Sequence, residues 1–359
     1  MALYEPDVGF FASGHGAGRA GGDFVTSPEV GPLFGACVAR ALDRCWHELD
    51  DPDPFVVVEA GAGNGRLARD VLRAAPECRR ALHYVLVEVS SALRDEQRDR
   101  LELEPPDEAL GPFSRVHDDA PLPVPGSGPV FTALDELPAL ELTGVVLANE
   151  LLDNLPFGIA QASDHGWQEV RVALAPTGEF TEVLVPAEAI DASALDAITR
   201  DMRVPAGARL PIPRGVDALL ETCGQVLRRG TLITIDYVDS ARGIVERGPE
   251  SWLRTYRAHQ RAGSPLVAPG TCDITADVVR EQIGHAARRS GMQVVADQSQ
   301  AEWLEGLGIE ALVEAGRRTW EERAHIGDLE ALAARSRVGE AAALTDPAGL
   351  GAHRVMTLR

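Results

Sequence analysis

The strongest constraint in this chain is a short apolar run that empties into glycines. Phe55-Val56-Val57-Val58 has no polar alternation, which is the pattern of a strand buried on both faces. Glu59-Ala60-Gly61-Ala62-Gly63-Asn64-Gly65 follows at once, and residues 66–75 then repeat at helical spacing. Glycines at such a junction let the backbone turn sharply and approach a ligand with no Cβ in the way. Further apolar runs at 84–89, 145–148 and 232–235 predict buried strands, and segments 90–101 and 216–229 predict helices between them. This alternation specifies an α/β fold with a doubly wound, mostly parallel sheet.

The flanks add to that core. Residues 9–23 are dense in glycine, which predicts a mobile loop or one that wraps a ligand closely. Thr26-Ser27-Pro28-Glu29 starts a helix, either with Ser27 as cap and Pro28 first in the helix, or through a Thr26–Glu29 capping box. Leu33, Phe34, Cys37, Val38, Ala41, Leu42, Cys45 and Trp46 then form one helical face. Segments 167–173 and 179–185, joined through Pro176-Thr177-Gly178, predict a β-hairpin. Residues 186–215 begin helically and become rich in Pro, Gly and Arg. Residues 105–129 form a proline-rich connection. A helix is expected over 275–290, strands over 293–296 and 353–358, and helices within 301–338. The expected organisation is an N-terminal loop and helix over 1–50, a ligand-binding core over 51–165, an inserted hairpin and helical cap over 166–215, and the rest of the core with a helical insertion over 216–359.

Composition removes several function classes. Fifty-five acidic side chains against 34 basic ones give a net charge of −21, which disfavours nucleic acid and anionic membranes and attracts a basic partner. The chain contains no lysine. Schiff-base chemistry, pyridoxal phosphate and a Walker A site all need one. The cysteines, Cys37, Cys45, Cys78, Cys223 and Cys272, are odd in number and show no C-x-x-C spacing, so buried thiols are expected rather than a zinc site or disulfides. The first residues lack a secretory pattern and no apolar run is long enough to span a bilayer, giving a cytoplasmic expectation. A homodimer is compatible with the sequence.

Two acids narrow the ligand. Glu59 stands just ahead of the glycines, and Glu88 ends the next expected strand, where a carboxylate can accept both hydroxyls of a ribose. A carboxylate beside a pyrophosphate is repelled, whereas one beside an ammonium or sulfonium is attracted. S-adenosylmethionine offers both cations and a ribose, with no phosphate. The competing account is a tight strand–helix turn with incidental acids. Asn149, Glu150, Asp153 and Asn154 follow the strand at 145–148, so they emerge at the carboxyl edge of the sheet, where open α/β sheets bind ligands. A plain helix cap by Asn149 is the alternative there. Asp236 and Tyr237 reach the same edge.

These segments together resemble the MidA-like class I S-adenosylmethionine-dependent methyltransferases, whose mitochondrial members are complex I assembly factors that methylate an arginine. The resemblance covers nearly the whole chain. It rests on Gly21-Gly22-Asp23-Phe24-Val25-Thr26-Ser27-Pro28-Glu29, Phe34-Gly35, the 59–65 loop, Val87-Glu88-Val89-Ser90, Ala148-Asn149-Glu150-Leu151-Leu152-Asp153-Asn154-Leu155-Pro156 and Ile235-Asp236-Tyr237. Tyr256-Arg257-Ala258-His259, Pro269-Gly270, Asp273-Ile274-Thr275 and Leu307-Gly308-Ile309 complete it. The chain departs from the family at Val238, where a glycine is usual, and at Arg209-Leu210-Pro211-Ile212-Pro213-Arg214. These departures spare the cofactor segments and bear on the acceptor.

The resemblance implies that Thr26, Ser27, Glu59, Gly61, Gly63, Asn64, Gly65, Glu88, Val89 and Asn149 bind the cofactor. If the acceptor is a protein or peptide arginine, carboxylates can hold its guanidinium bidentately. The candidates are Asp23, Glu150, Asp153 and Asp236, with His259 or one of these acids receiving the proton. Thr26 and Ser27, at a helix start, could instead only cap it. A methyltransferase for a small molecule or peptide, a non-catalytic cofactor-binding assembly partner, and a nicotinamide dehydrogenase remain open from the sequence.

Overall fold

The computed structural model describes residues 2–5, 8–10, 26–111, 123–257 and 260–359. Strands follow the chain as β1 (Phe55–Ala60), β2 (Leu82–Val87), β3 (Val130–Leu134), β4 (Leu142–Asn149), β5 (Gly158–Ser163), β6 (Gly166–Leu174) and β7 (Phe180–Pro186). They continue as β8 (Arg209–Ile212), β9 (Leu227–Asp236), β10 (Val294–Ser299) and β11 (Arg354–Leu358). Among the described residues a seven-stranded sheet runs in the order β10-β11-β9-β4-β1-β2-β3. β9, β4, β1, β2 and β3 are parallel, and β10 and β11 add an antiparallel edge. The chain reverses its direction of travel across the sheet beside β1, which has β2 on one flank and β4 on the other. The crevice beyond their carboxyl ends is therefore the topological switch point.

The alternating side chains of β1 explain its lack of polar residues. Phe55 and Val57 face a core shared with α1 (Pro32–Glu48) and α2 (Arg66–Ala74), while Val56 and Val58 face the opposite core. That second core is closed by α5 (Arg214–Val226) and α6 (Arg280–Arg289). The face expected from Leu33 to Cys45 is buried as a unit on α1, and all five cysteines are buried and outside any disulfide. Gly35 lies where α1 crosses α2, and a Cβ there would sit 2.6 Å from that of Asp70.

Four expectations shift. The N-terminal helix is split into Ser27–Val30 and α1, because Gly31-Pro32 interrupts it. Strand β2 ends at Val87, so Glu88 lies on the loop beyond it. Residues 227–229, expected to be helical, begin β9 and pair with Leu142 and Thr143. The helix expected over 275–290 starts only at Arg280; Asp273–Ala276 instead pairs antiparallel with Leu253–Arg257, and Val278–Val279 pairs with Val238–Asp239. Local helical periodicity there yields to strand pairing at a distance.

The hairpin forms as expected, with β6 against β7, and it widens into a four-stranded antiparallel sheet ordered β7-β6-β5-β8. Helix α4 (Ala189–Thr199) packs against it through Leu195, beside Ala160 and Leu210. Phe34 is fully buried between α1 and the central sheet. Phe34→Ala is expected to cost about 3–5 kcal/mol, measured as a lower urea midpoint at unchanged m-value.

Candidate functional site

The glycine loop is built by main-chain geometry. Gly61, Gly63 and Gly65 all have positive φ, at +71°, +53° and +75°. Gly61 and Ala62 both donate their N–H to the carbonyl of Val87, which staples the loop to the end of β2. Gln97, fully buried on α3 (Ser91–Arg100), donates to the carbonyl of Gly63 at 2.7 Å. Nothing lies within 4 Å of where a Cβ on Gly63 would stand, so its open side is a cradle that a side chain would fill.

The acids surround this loop. Glu59, at the carboxyl end of β1, accepts a 2.7 Å hydrogen bond from the Tyr84 hydroxyl, and burial, with Glu88 nearby, pushes its carboxyl up to about 8. Glu88 points back at the loop: its Oε2 accepts from Gly63 N–H and its Oε1 from Ser90 N–H, both at 2.9 Å. Burial raises Glu88 as well, against the pull of those N–H groups. Val89 beside it is exposed and Asn64 is buried.

The third acid segment closes the far wall. Glu150 follows β4 with φ +50°, a strained setting for a residue with a side chain. Its own N–H is held by the carbonyl of Ile235, and its Oε1 accepts from Ser27 N–H at 2.9 Å. Burial pushes it up to about 8. Thr26, Glu29, Glu59, Gly63, Asn64, Asn149 and Glu150 line one cleft. The Thr26–Glu29 capping box is present, with Thr26 N–H bonded to Glu29. Asn149 Oδ1 is buried with no protein partner. The open cradle at Gly63, that orphan acceptor and the carboxylate walls fit a cationic nucleoside.

Behind Glu150 the carboxylates have other duties. Asp236, fully buried, accepts from Leu152 N–H at 2.7 Å and from Tyr237 N–H at 2.8 Å, so it fixes the segment after β4. Burial still raises it, to about 6. Asp153 accepts from Asn154 and is pushed well above the usual carboxylate range by burial and by Asp236, Asp273 and Glu150. Asp273 and Tyr4 belong to this group and are not legible as members from local pattern; the Tyr4 hydroxyl donates to the carbonyl of Asn154. The family pattern at 273–275 is the one signal that pointed near Asp273. Asp23 and His259 lie outside the described residues, as does the glycine-rich stretch from Gly14 to Gly22. Arg209 and Arg214 are spent on the cap's own ion pairs, with Glu182 and with Glu169 and Asp191 respectively.

Residues 37–296 match the profile of the S-adenosyl-L-methionine-dependent methyltransferase family Methyltransf_28. A COG1565 superfamily protein of Burkholderia thailandensis, solved with bound S-adenosyl-homocysteine, is 27% identical, with a TM-score of 0.77 over 99% of this chain and 85% of that one. The mitochondrial protein arginine methyltransferase NDUFAF7 homolog of Drosophila melanogaster is 28% identical over 80% of this chain and 65% of its own length. NDUFAF7 of Danio rerio is 27% identical over 86% of this chain and 72% of its own. The chain thus spans about two thirds of the length of these curated relatives.

Two outcomes test this geometry. Gly63→Val fills the cradle and is expected to weaken S-adenosyl-homocysteine binding at least tenfold by calorimetry, with an unchanged circular dichroism spectrum. Glu59 binds its proton more tightly in the fold than unfolded, so its contribution to stability is present at low pH and falls as pH rises from about 5 to 8. Glu59→Gln is expected to flatten that fall by about 1.4 kcal/mol per pH unit, read from urea unfolding at pH 5, 6.5 and 8.

Proposed function

Because the chain belongs to the S-adenosylmethionine-dependent methyltransferase family Methyltransf_28, we propose that it methylates a guanidinium nitrogen of a protein arginine. The observation that carries this reading is Glu150, a carboxylate lining the cleft with two further buried acids, Asp153 and Asp236, behind it. A guanidinium stays protonated at any working pH and presents a fork of donors that a carboxylate matches. The names of the mitochondrial relatives support the same acceptor.

When bound, S-adenosylmethionine supplies a methyl group on a sulfonium sulfur, and the electrons of that C–S bond stay with sulfur. The backbone of Gly61, Gly63 and Asn64 would hold the cofactor, with Thr26 and Asn149 on the opposite side of the cleft; Ser27 is fully buried with its N–H on Glu150, and Gly65 lies against Leu86 and Gln97, so both act by shaping the walls. Glu59 would face its cations, Glu88 would accept from its ribose hydroxyls, and Val89 would lie against its base. Glu150 orients the acceptor nitrogen and takes the proton that this nitrogen loses as the N–C bond forms. Asp236 acts at one remove, by fixing the segment that carries Glu150 and Asp153. Asp23 and His259 keep the acceptor-side roles that the sequence gives them.

The positive φ at Glu150 fits this division, since strain of that kind is kept where a side chain must be aimed. Incubation with methyl-labelled S-adenosylmethionine and a lysate, followed by mass spectrometry, is expected to find label on arginine. Glu150→Gln is expected to lower kcat at least a hundredfold, with S-adenosyl-homocysteine affinity within about threefold of the parent. Label confined to small molecules, or full activity in Glu150→Gln, would overturn the assignment.

A further inference from the structure

The residue that holds Glu150 is itself held from the last part of the chain. Ser27, whose N–H donates to Glu150 Oε1, is fully buried, and its hydroxyl donates to Gln300 Oε1 at 2.9 Å. Gln300 is fully buried as well, 273 residues away, and is the first residue of the helix Gln300–Gly306. Its main-chain N–H donates to the carbonyl of His353 at 2.7 Å, and its Nε2 donates to the carbonyl of Leu344 at 3.0 Å. Both polar atoms of the Gln300 side chain are thus committed inside the protein.

A side-chain amide has one donor end and one acceptor end, and a carbonyl only accepts. Leu344 therefore keeps Nε2 on its own side and leaves Oε1 for Ser27. The Ser27 hydroxyl must be the donor in that bond, and its single hydrogen is spent there. The first turn does not need this hydroxyl as a cap, because Thr26 and Glu29 supply the capping box. What the bond does is fix Ser27 from its side chain, and with it the direction of its N–H.

That N–H decides how Glu150 is presented. Oε1 of Glu150 accepts from Ser27 N–H at 2.9 Å and from Asn149 Nδ2 at a long 3.4 Å. Among the described residues nothing donates a hydrogen bond to Oε2, and the residue lines the cleft. The last torsion of a glutamate is broad, so a carboxylate without a hold on one oxygen turns freely about it. Pinning Oε1 is what makes the two oxygens different.

We propose that Gln300 is a positioning residue for methyl transfer: through the Ser27 hydroxyl it aims the N–H that pins Glu150 Oε1, and so keeps Oε2 toward the acceptor. The proposal rests on the reading that Glu150 orients the acceptor nitrogen. Oε2 is then the atom that takes the proton of this nitrogen as the N–C bond forms, while the electrons of the broken C–S bond stay on sulfur.

The test is a double-mutant cycle of Ser27→Ala and Gln300→Met in the full chain. It is read as the initial rate of label transfer from methyl-labelled S-adenosylmethionine into lysate protein. Each single change is expected to lower the saturating rate at least tenfold. The S-adenosylmethionine KM and the S-adenosyl-homocysteine affinity are expected within about threefold of the parent. The double variant is expected within about twofold of the slower single one, because both changes delete the same bond. A glutamine that only braces Leu344 and His353 would give independent losses that multiply. Multiplying losses, or full rate in either folded single variant, would overturn the proposal. If Gln300→Met does not fold, Ser27→Ala tests the bond from its other end, and full rate there overturns it. Coupled losses with no label on arginine would strike the arginine reading and leave Gln300 in its role. Label on arginine with multiplying losses would do the reverse, and a parent that transfers no label would overturn both.

Discussion

The rim of this sheet is held together by buried carboxylates that accept main-chain N–H groups. Glu88 ties the glycine loop after β1 to the loop after β2, through Gly63 and Ser90. Asp236 ties the end of β9 to the segment after β4, through Leu152 and Tyr237. Glu150 ties that same segment to the first turn of the N-terminal helix, through Ser27. These bonds add to main-chain contacts between the same connections, those of Gly61 and Ala62 N–H with Val87 and of Glu150 N–H with Ile235. A carboxylate is suited to the task because it has several acceptor sites and no donor of its own when ionised. The consequence is a rim whose loops are positioned by acids, so its shape and its electrostatics are one property.

Burial makes those acids poor anions in the absence of a cation. Glu59 and Glu150 are both pushed up to about 8, and Asp153 rises further because Asp236, Asp273 and Glu150 crowd it. An arriving cation reverses that balance, since an opposite charge a few ångströms away favours the ionised form. Binding of a cationic ligand therefore releases protons, and the site becomes more receptive as pH rises through neutrality.

The sequence carried the central layer well because strands buried on both faces leave uninterrupted Val, Ile and Leu runs. It carried the cleft well for a different reason: Glu59, the glycines, Glu88 and Glu150 each sit next to the end of such a run. What it did not carry depends on distance. Ser27 and Glu150 are 123 residues apart, and Tyr4 reaches Asn154 across 150. The strand at Asp273–Ala276 exists because Leu253–Arg257 lies beside it, and no local period announces that partner. The break at Gly31-Pro32 was written in the residues, yet the apolar repeat beyond it and the capping signals before it favoured one helix.

The charge around the glycine loop also decides between nucleosides. Glu29, Glu59 and Glu150 line the cleft, with Arg66 as the one basic side chain on its wall among the described residues. Arg66 turns to the carbonyl of Glu29, at 3.3 Å. Gly65 enters α2 in a left-handed conformation, which suits a tight turn into a helix. In a dinucleotide site that turn aims helix N–H groups at a pyrophosphate, and the field must be positive or neutral there. Here a pyrophosphate would lie beside three acids, and Glu59 and Glu150 would have to stay protonated to tolerate it, with no gain from their ionisation. A nucleoside whose reactive end is cationic meets attraction at each of the same three points. The glycines permit either ligand; the acids around them admit one.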